Sequence, residues 1–101
     1  MTTAAKNRLM LVDDHPIVRT GIRVAVSDIS SLEICAEADS APSALALLEK
    51  QRPEMIVLDL NLGGRDGVEL IRQILSLYPG IKILVFSMNA EEMYADRKSV
   101  V

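Results

Sequence analysis

Leu9-Met10-Leu11-Val12-Asp13-Asp14-His15-Pro16 is the stretch on which the fold turns. Four apolar residues in a row form a short continuous run of the kind found in buried strands of parallel sheets. The run ends abruptly in two acids. Pro16 then sits where a helix can begin, because its missing N–H costs nothing in a first turn. Ile17, Gly21, Val24 and Ala25 recur at helical spacing from there. A strand that passes through a polar corner into a helix is the opening of a β-α-β unit, and the rest of the chain repeats that alternation.

Leu32–Ala36 reads as a second strand, running through Ile34 and Cys35. Ser40 is a helix cap, Ala44, Leu45, Leu47 and Leu48 supply an apolar face, and Arg52-Pro53 ends that helix. Met55-Ile56-Val57-Leu58 is a third strand, and it ends in Asp59. Gly63-Gly64-Arg65-Asp66-Gly67 is a loop by composition. Asp66 with Glu69 resembles a capping box with Asp in the Ser/Thr place. The helix after it carries Val68, Ile71, Ile74 and Leu75 on one side, and Tyr78-Pro79-Gly80 stops it. Ile81–Phe86 is a fourth strand ending at Ser87. From Glu91 onward the chain is helix-like but short and polar. The order β-α-β-α-β-α-β demands right-handed crossovers and a mostly parallel sheet. No internal repeat, low-complexity tract or linker interrupts it.

Composition agrees. The 101 residues make one domain. Half of them are hydrophobic and only 3% aromatic, so the core must be mostly aliphatic. The net charge of −3 comes with no basic stripe, which argues against nucleic-acid binding by this chain. The single cysteine, Cys35, has no internal partner and reads as a small buried hydrophobe. Leu9–Val12 is far too short for a signal sequence or a membrane span, which makes a cytoplasmic protein without membrane contact the expectation.

The chemistry lies at strand ends. Asp13 and Asp14 follow the first strand and Asp59 ends the third. In an open parallel sheet, sites form outside those carboxyl ends at the topological switch point. If the first and third strands are neighbours, three carboxylates converge and raise one another's pKa unless a cation joins them. Oxygen-only ligands with room for waters suit Mg²⁺.

At this point the sequence resembles a known family. Val12-Asp13-Asp14-His15-Pro16 and Val57-Leu58-Asp59-Leu60-Asn61-Leu62 are similar to the first and third strand ends of response-regulator receiver domains of the CheY-like type. Asp66-Gly67 resembles the family's turn into its third helix, and Ser87 matches its small hydroxyl position. The Asp-Asp-His-Pro wording is most similar to the NarL/FixJ subfamily. The resemblance covers about residues 8 to 95. It implies a flavodoxin-like, doubly wound sheet of strand order 2-1-3-4. It also implies a two-component signalling module that takes a phosphoryl group from a sensor histidine kinase, assisting its own modification without being an enzyme in the strict sense. By position, Asp59 would be the phosphoacceptor. Asp14 would ligate Mg²⁺ directly, Asp13 mainly through water, and Asn61 through its backbone carbonyl. Ser87 Oγ would hydrogen-bond a phosphoryl oxygen. His15 is expected at the rim in a structural role. Gly63 and Gly64 stand where the family has a proline beside a glycine, which should loosen that loop.

The resemblance also marks departures. The family's domain continues through a full fourth helix, a fifth strand ending in a lysine, and a fifth helix. Here Glu91 to Val101 follow, and Lys98 lies too close to Ser87 to stand for that lysine. The expected division is therefore a tail over 1–7, an incomplete receiver over 8–95, and an atypical tail over 96–101. The fourth strand is expected to be an open edge, with self-association or domain swapping through 81–101. A DNA-binding domain is expected in the full-length protein rather than in this chain. One alternative is a phosphorylation-impaired receiver that acts only as an interaction module. Another, a haloacid-dehalogenase-type phosphohydrolase, requires an acid two residues after the nucleophile, where Asn61 stands, and the reverse order of acids along the chain.

Overall fold

The computed structural model describes residues 6–62 and 67–86. Among them, β1 (Asn7–Val12), α1 (Pro16–Ser27), β2 (Leu32–Ala38), α2 (Ala41–Gln51), β3 (Met55–Asp59), α3 (Gly67–Leu77) and β4 (Lys82–Phe86) follow in strict alternation. The strands form one parallel sheet in the order β2-β1-β3-β4. That is the expected order. β1 begins one residue inside the expected tail, and β2 runs two residues past its expected end.

The sheet separates two apolar layers. Met10, Val12, Ile56 and Leu58 point to one face, where α2 packs Ala44 and Leu48 and α3 packs Leu70 and Ile74. Leu9, Leu11 and Val57 point to the other, where α1 packs Val26 with Ile22 beside it. The alternation along β1 and β3 is the two-residue period of a strand, and both phases are apolar because both faces are covered. Leu9 to Val12 are all essentially buried. Each such side chain stabilises the fold by about 1.5–3 kcal/mol as an upper estimate.

The helix ends follow local chemistry. Ser40 Oγ accepts from the Ser43 N–H at 3.3 Å, as a cap should. Arg52 closes α2 in the left-handed region at φ 48°, its N–H donating to Leu48 O. Its guanidinium lies 5.4 Å from the centre of the Tyr78 ring, joining the ends of α2 and α3.

Three expectations about packing need correction. In α1 the stripe Ile17, Gly21 and Val24 faces outward, with Ile17 85% exposed, while Ile22 and Val26 face the sheet. Both stripes have helical spacing, so periodicity could not choose between them. In α3 the buried residues are Gly67, Leu70 and Ile74, with Ile71 beside them, whereas Val68 and Leu75 are partly exposed. Cys35 is half-buried rather than buried. It falls where the register between β1 and β2 slips, opposite neither Leu9 nor Met10.

Candidate functional site

Register brings the acids together. β1 pairs with β3 so that Val12 lies beside Leu58, which sets Asp13 beside Asp59 at the carboxyl edge of the sheet. The chain leaves β1 for β2 on one side and β3 for β4 on the other, so the edge between them is the switch point of the topology. The Asp13 N–H still donates to Ala38 O at 3.0 Å, and the Leu60 N–H donates to Phe86 O at 2.8 Å. Both acids are therefore held by strand-like backbone bonds rather than on free loops.

Asp13 and Asp59 are each only 1% exposed. Asp13 Oδ1 accepts from the His15 backbone N–H at 2.8 Å, a tight turn that orients the carboxylate. Asp59 Oδ1 accepts from the Asn61 N–H at 3.1 Å. Among the described residues, Asp13 Oδ2 and Asp59 Oδ2 accept no hydrogen bond. Two buried carboxylate oxygens without a donor are costly in a folded protein. Asp14 is partly exposed beside them, and one donor atom from each of Asp13, Asp14, His15 and Asp59 lies within 4.8 Å of the others. The sequence's three acids therefore converge as expected.

His15 was expected at the rim, and its ring is half-exposed, but it also reaches inward. Its Nδ1 lies 2.8 Å from Asp13 Oδ1, 3.0 Å from Asp14 Oδ1 and 3.7 Å from Asp59 Oδ2. Arg19 is a residue that sequence reading missed. Its guanidinium donates to the Asp13 carbonyl at 2.5 Å and pairs with Glu37, which also takes two hydrogen bonds from Arg23 at 2.8 and 2.9 Å. This chain of contacts ties the Asp13 turn to α1 and β2. Nothing in the one-dimensional pattern marks Arg19, because its partner is a main-chain oxygen.

Asn61 follows the strand end, as the reading required. The loop that carries it is closed by the Gly67 N–H, which donates to Leu60 O at 2.8 Å. Ser87, Gly63, Gly64, Asp66, Lys98 and the tail 96–101 lie outside the described residues.

Electrostatics follow the geometry. Burial raises the Asp59 pKa above the usual carboxylate value, and the neighbouring Asp13 and Asp14 add to it, against the Asn61 N–H and His15. The hydrogen bond to Asp13, then the charge of Asp14, raises the His15 pKa. For Asp59 the folded value exceeds the unfolded one, so its ionised form is penalised in the fold. That penalty is absent below the ordinary carboxylate pKa and complete above the raised one. His15 runs the same way, since its stabilisation is present below its ordinary value and lost as pH rises past the raised one. Glu37, held low by Arg23, matters only in more acid solution. Without metal, stability should therefore begin to fall as pH rises past the ordinary carboxylate value of about 4, and fall further as it passes the ordinary imidazole value of about 6.5. Denaturant unfolding in chelator at several pH values checks this. An Asp59→Asn curve as steep as that of the unmodified chain would show the assignment to be wrong.

The family model described as Response regulator receiver domain matches residues 9–99. The nitrate/nitrite response regulator protein NarL of Escherichia coli K12 is 32% identical over 84 residues, which is 83% of this chain and 39% of that protein. A LuxR-family two-component response regulator from Aurantimonas sp. SI85-9A1 superposes with a TM-score of 0.78 at 37% identity, over 90% of this chain and 65% of that one. RcsB from Salmonella enterica serovar Typhimurium, bound to promoter P1flhDC in the presence of the phosphomimetic BeF3−, superposes with a TM-score of 0.77 at 30% identity. That match covers 84% of this chain and 44% of that one. The chain spans about two fifths of the length of the curated relatives it matches.

Proposed function

This chain belongs to the response regulator receiver domains, and on that premise we propose that Asp59 accepts a phosphoryl group from a sensor histidine kinase with the help of Mg²⁺. The observation that carries the reading is the pair of buried carboxylate oxygens, Asp13 Oδ2 and Asp59 Oδ2, that no donor among the described residues satisfies. An all-oxygen set at the mouth of a parallel sheet suits a hard divalent cation. Asp14 and Asp13 would hold the ion, the first directly and the second mainly through water, with Asp59 and the Asn61 carbonyl completing the set. When bound, the cation supplies charge neutralisation for the transferring group.

The rest of the step belongs to the chain's own residues. Asp59 is a carboxylate near neutral pH and needs no base to act as a nucleophile. Its oxygen attacks phosphorus, the P–N bond to the kinase histidine breaks, and a P–O bond forms. Asn61 N–H holds one Asp59 oxygen, which leaves the other to react. Ser87 Oγ would hydrogen-bond the arriving phosphoryl group. Intact mass after incubation with acetyl phosphate and Mg²⁺ tests the reading. The expected result is one added phosphoryl group that Asp59→Asn lacks. A folded chain that gains none would leave the alternative of an interaction module that phosphorylation does not control.

The wider setting follows the relatives. RcsB is seen bound to a promoter, and a DNA-binding output domain in the full-length protein fits the modest share of its relatives that this chain spans. No described helix is long and apolar enough to cross a membrane. A second copy is a further partner. Among the described residues β4 pairs only with β3, and its Leu84 and Val85 are exposed. Strand addition along that edge would give self-association through 81–101. Light scattering after size exclusion should show mass rising with concentration, and Leu84→Lys should suppress the rise. A monomer at every concentration would exclude it.

A further inference from the structure

Resting on the cation site just proposed, we infer that His15 Nδ1 is a fourth side-chain donor to it. The site then takes imidazole-seeking transition ions such as Ni²⁺ far more tightly than its acids alone could. Ions with bonds of about 2.0–2.2 Å place neighbouring octahedral ligand atoms about 3 Å apart. His15 Nδ1 stands 2.8 Å from Asp13 Oδ1 and 3.0 Å from Asp14 Oδ1, with Asp59 Oδ2 at 3.7 Å. The first two match the spacing of atoms that share one ion, and the first is a hydrogen bond that an ion would replace once the ring nitrogen gives up its proton. The acids supply an independent indication, since Asp13 Oδ2 and Asp59 Oδ2 are buried and take no hydrogen bond from the described residues.

The ring is already placed. His15 caps α1 just before Pro16 in extended backbone, and its own N–H is fixed to Asp13 Oδ1. Little side-chain freedom is left for metal binding to remove. The ring is half-exposed, so an ion can approach from solvent. His15 is also the one histidine in the chain, so no other imidazole competes. A nitrogen donor adds little for Mg²⁺, which prefers oxygen, but much for ions late in the first transition row.

Calorimetric titration of the full chain with Ni²⁺ and, separately, Mg²⁺ tests the inference in the unmodified protein, His15→Ala and His15→Gln. Both variants should lose at least about tenfold in Ni²⁺ affinity while Mg²⁺ affinity stays within about twofold. Proton NMR of the Co²⁺-loaded chain gives a second readout. A paramagnetically shifted, solvent-exchangeable imidazole N–H signal should be present in the unmodified protein and absent from both variants. Unchanged Ni²⁺ affinity in the variants, equal loss of Mg²⁺, or no shifted imidazole signal would each overturn the role of His15 alone. An unmodified chain that binds Ni²⁺ through His15 but never Mg²⁺ would support His15 and overturn the Mg²⁺ reading beneath it. An unmodified chain that binds neither ion would overturn both.

Discussion

Asp59→Asn is expected to make the metal-free protein more stable, by about 1–3 kcal/mol, and, on the proposed function, to end phosphoryl transfer. The side chain it replaces is 1% exposed, stands beside a second buried acid, and leaves one oxygen without a donor. The amide is nearly the same size, keeps an oxygen for the Asn61 N–H, and removes the repulsion with Asp13 and Asp14. Urea unfolding in chelator measures the gain. Mg²⁺ should reverse the ranking, since binding to the native state alone adds about 2.7 kcal/mol at one hundred times the dissociation constant. The variant, lacking one charged ligand, should respond little. An Asn variant less stable than the parent in chelator, or one that Mg²⁺ stabilises equally, would show that the acids do not form a strained ion site. A cluster of buried acids of this kind works against the fold that carries it.

Gly67→Ala is expected to act in the opposite sense. At an ordinary first turn of a helix, alanine for glycine stabilises by up to about 1 kcal/mol. Here a Cβ would lie 2.6 Å from Leu60 O and 3.0 Å from Leu60 C and Cα. Those atoms are backbone, so no side chain can swing away, and overpacking of this kind costs about 1–3 kcal/mol. The clash outweighs the propensity gain. The displaced segment leads directly into Asn61, so Mg²⁺ affinity and the rate of phosphoryl gain should fall with stability. Thermal unfolding and a Mg²⁺ titration together check this. A variant as stable as its parent would mean that the loop moves aside at no cost.

Much of the architecture could be read along the chain because it rests on local rules. The apolar runs at Leu9–Val12 and Met55–Leu58 read as strands covered on both faces, and Ser40, Pro16 and Tyr78-Pro79-Gly80 start and stop helices by backbone chemistry alone. Alternation with right-handed crossovers then leaves few topologies, and the acids at two strand ends fall at the edge where a parallel sheet binds ligands. The family wording around Asp13, Asp14 and Asp59 pointed to the same edge.

Other features depended on three-dimensional contact. α1 has two apolar stripes of equal spacing, and only the position of the sheet decided that Ile22 and Val26 turn inward and Ile17 outward. The inward reach of His15 depends on the turn at Asp13, and the part played by Arg19 depends on a carbonyl that carries no sequence signal. Gly67 looked like loop composition, yet its lack of a side chain is required by one backbone oxygen seven residues away. Pattern along a chain records which residues must be buried or must turn. The register that brings Asp13 beside Asp59, and the close approach of main-chain atoms, arise only when separate segments meet.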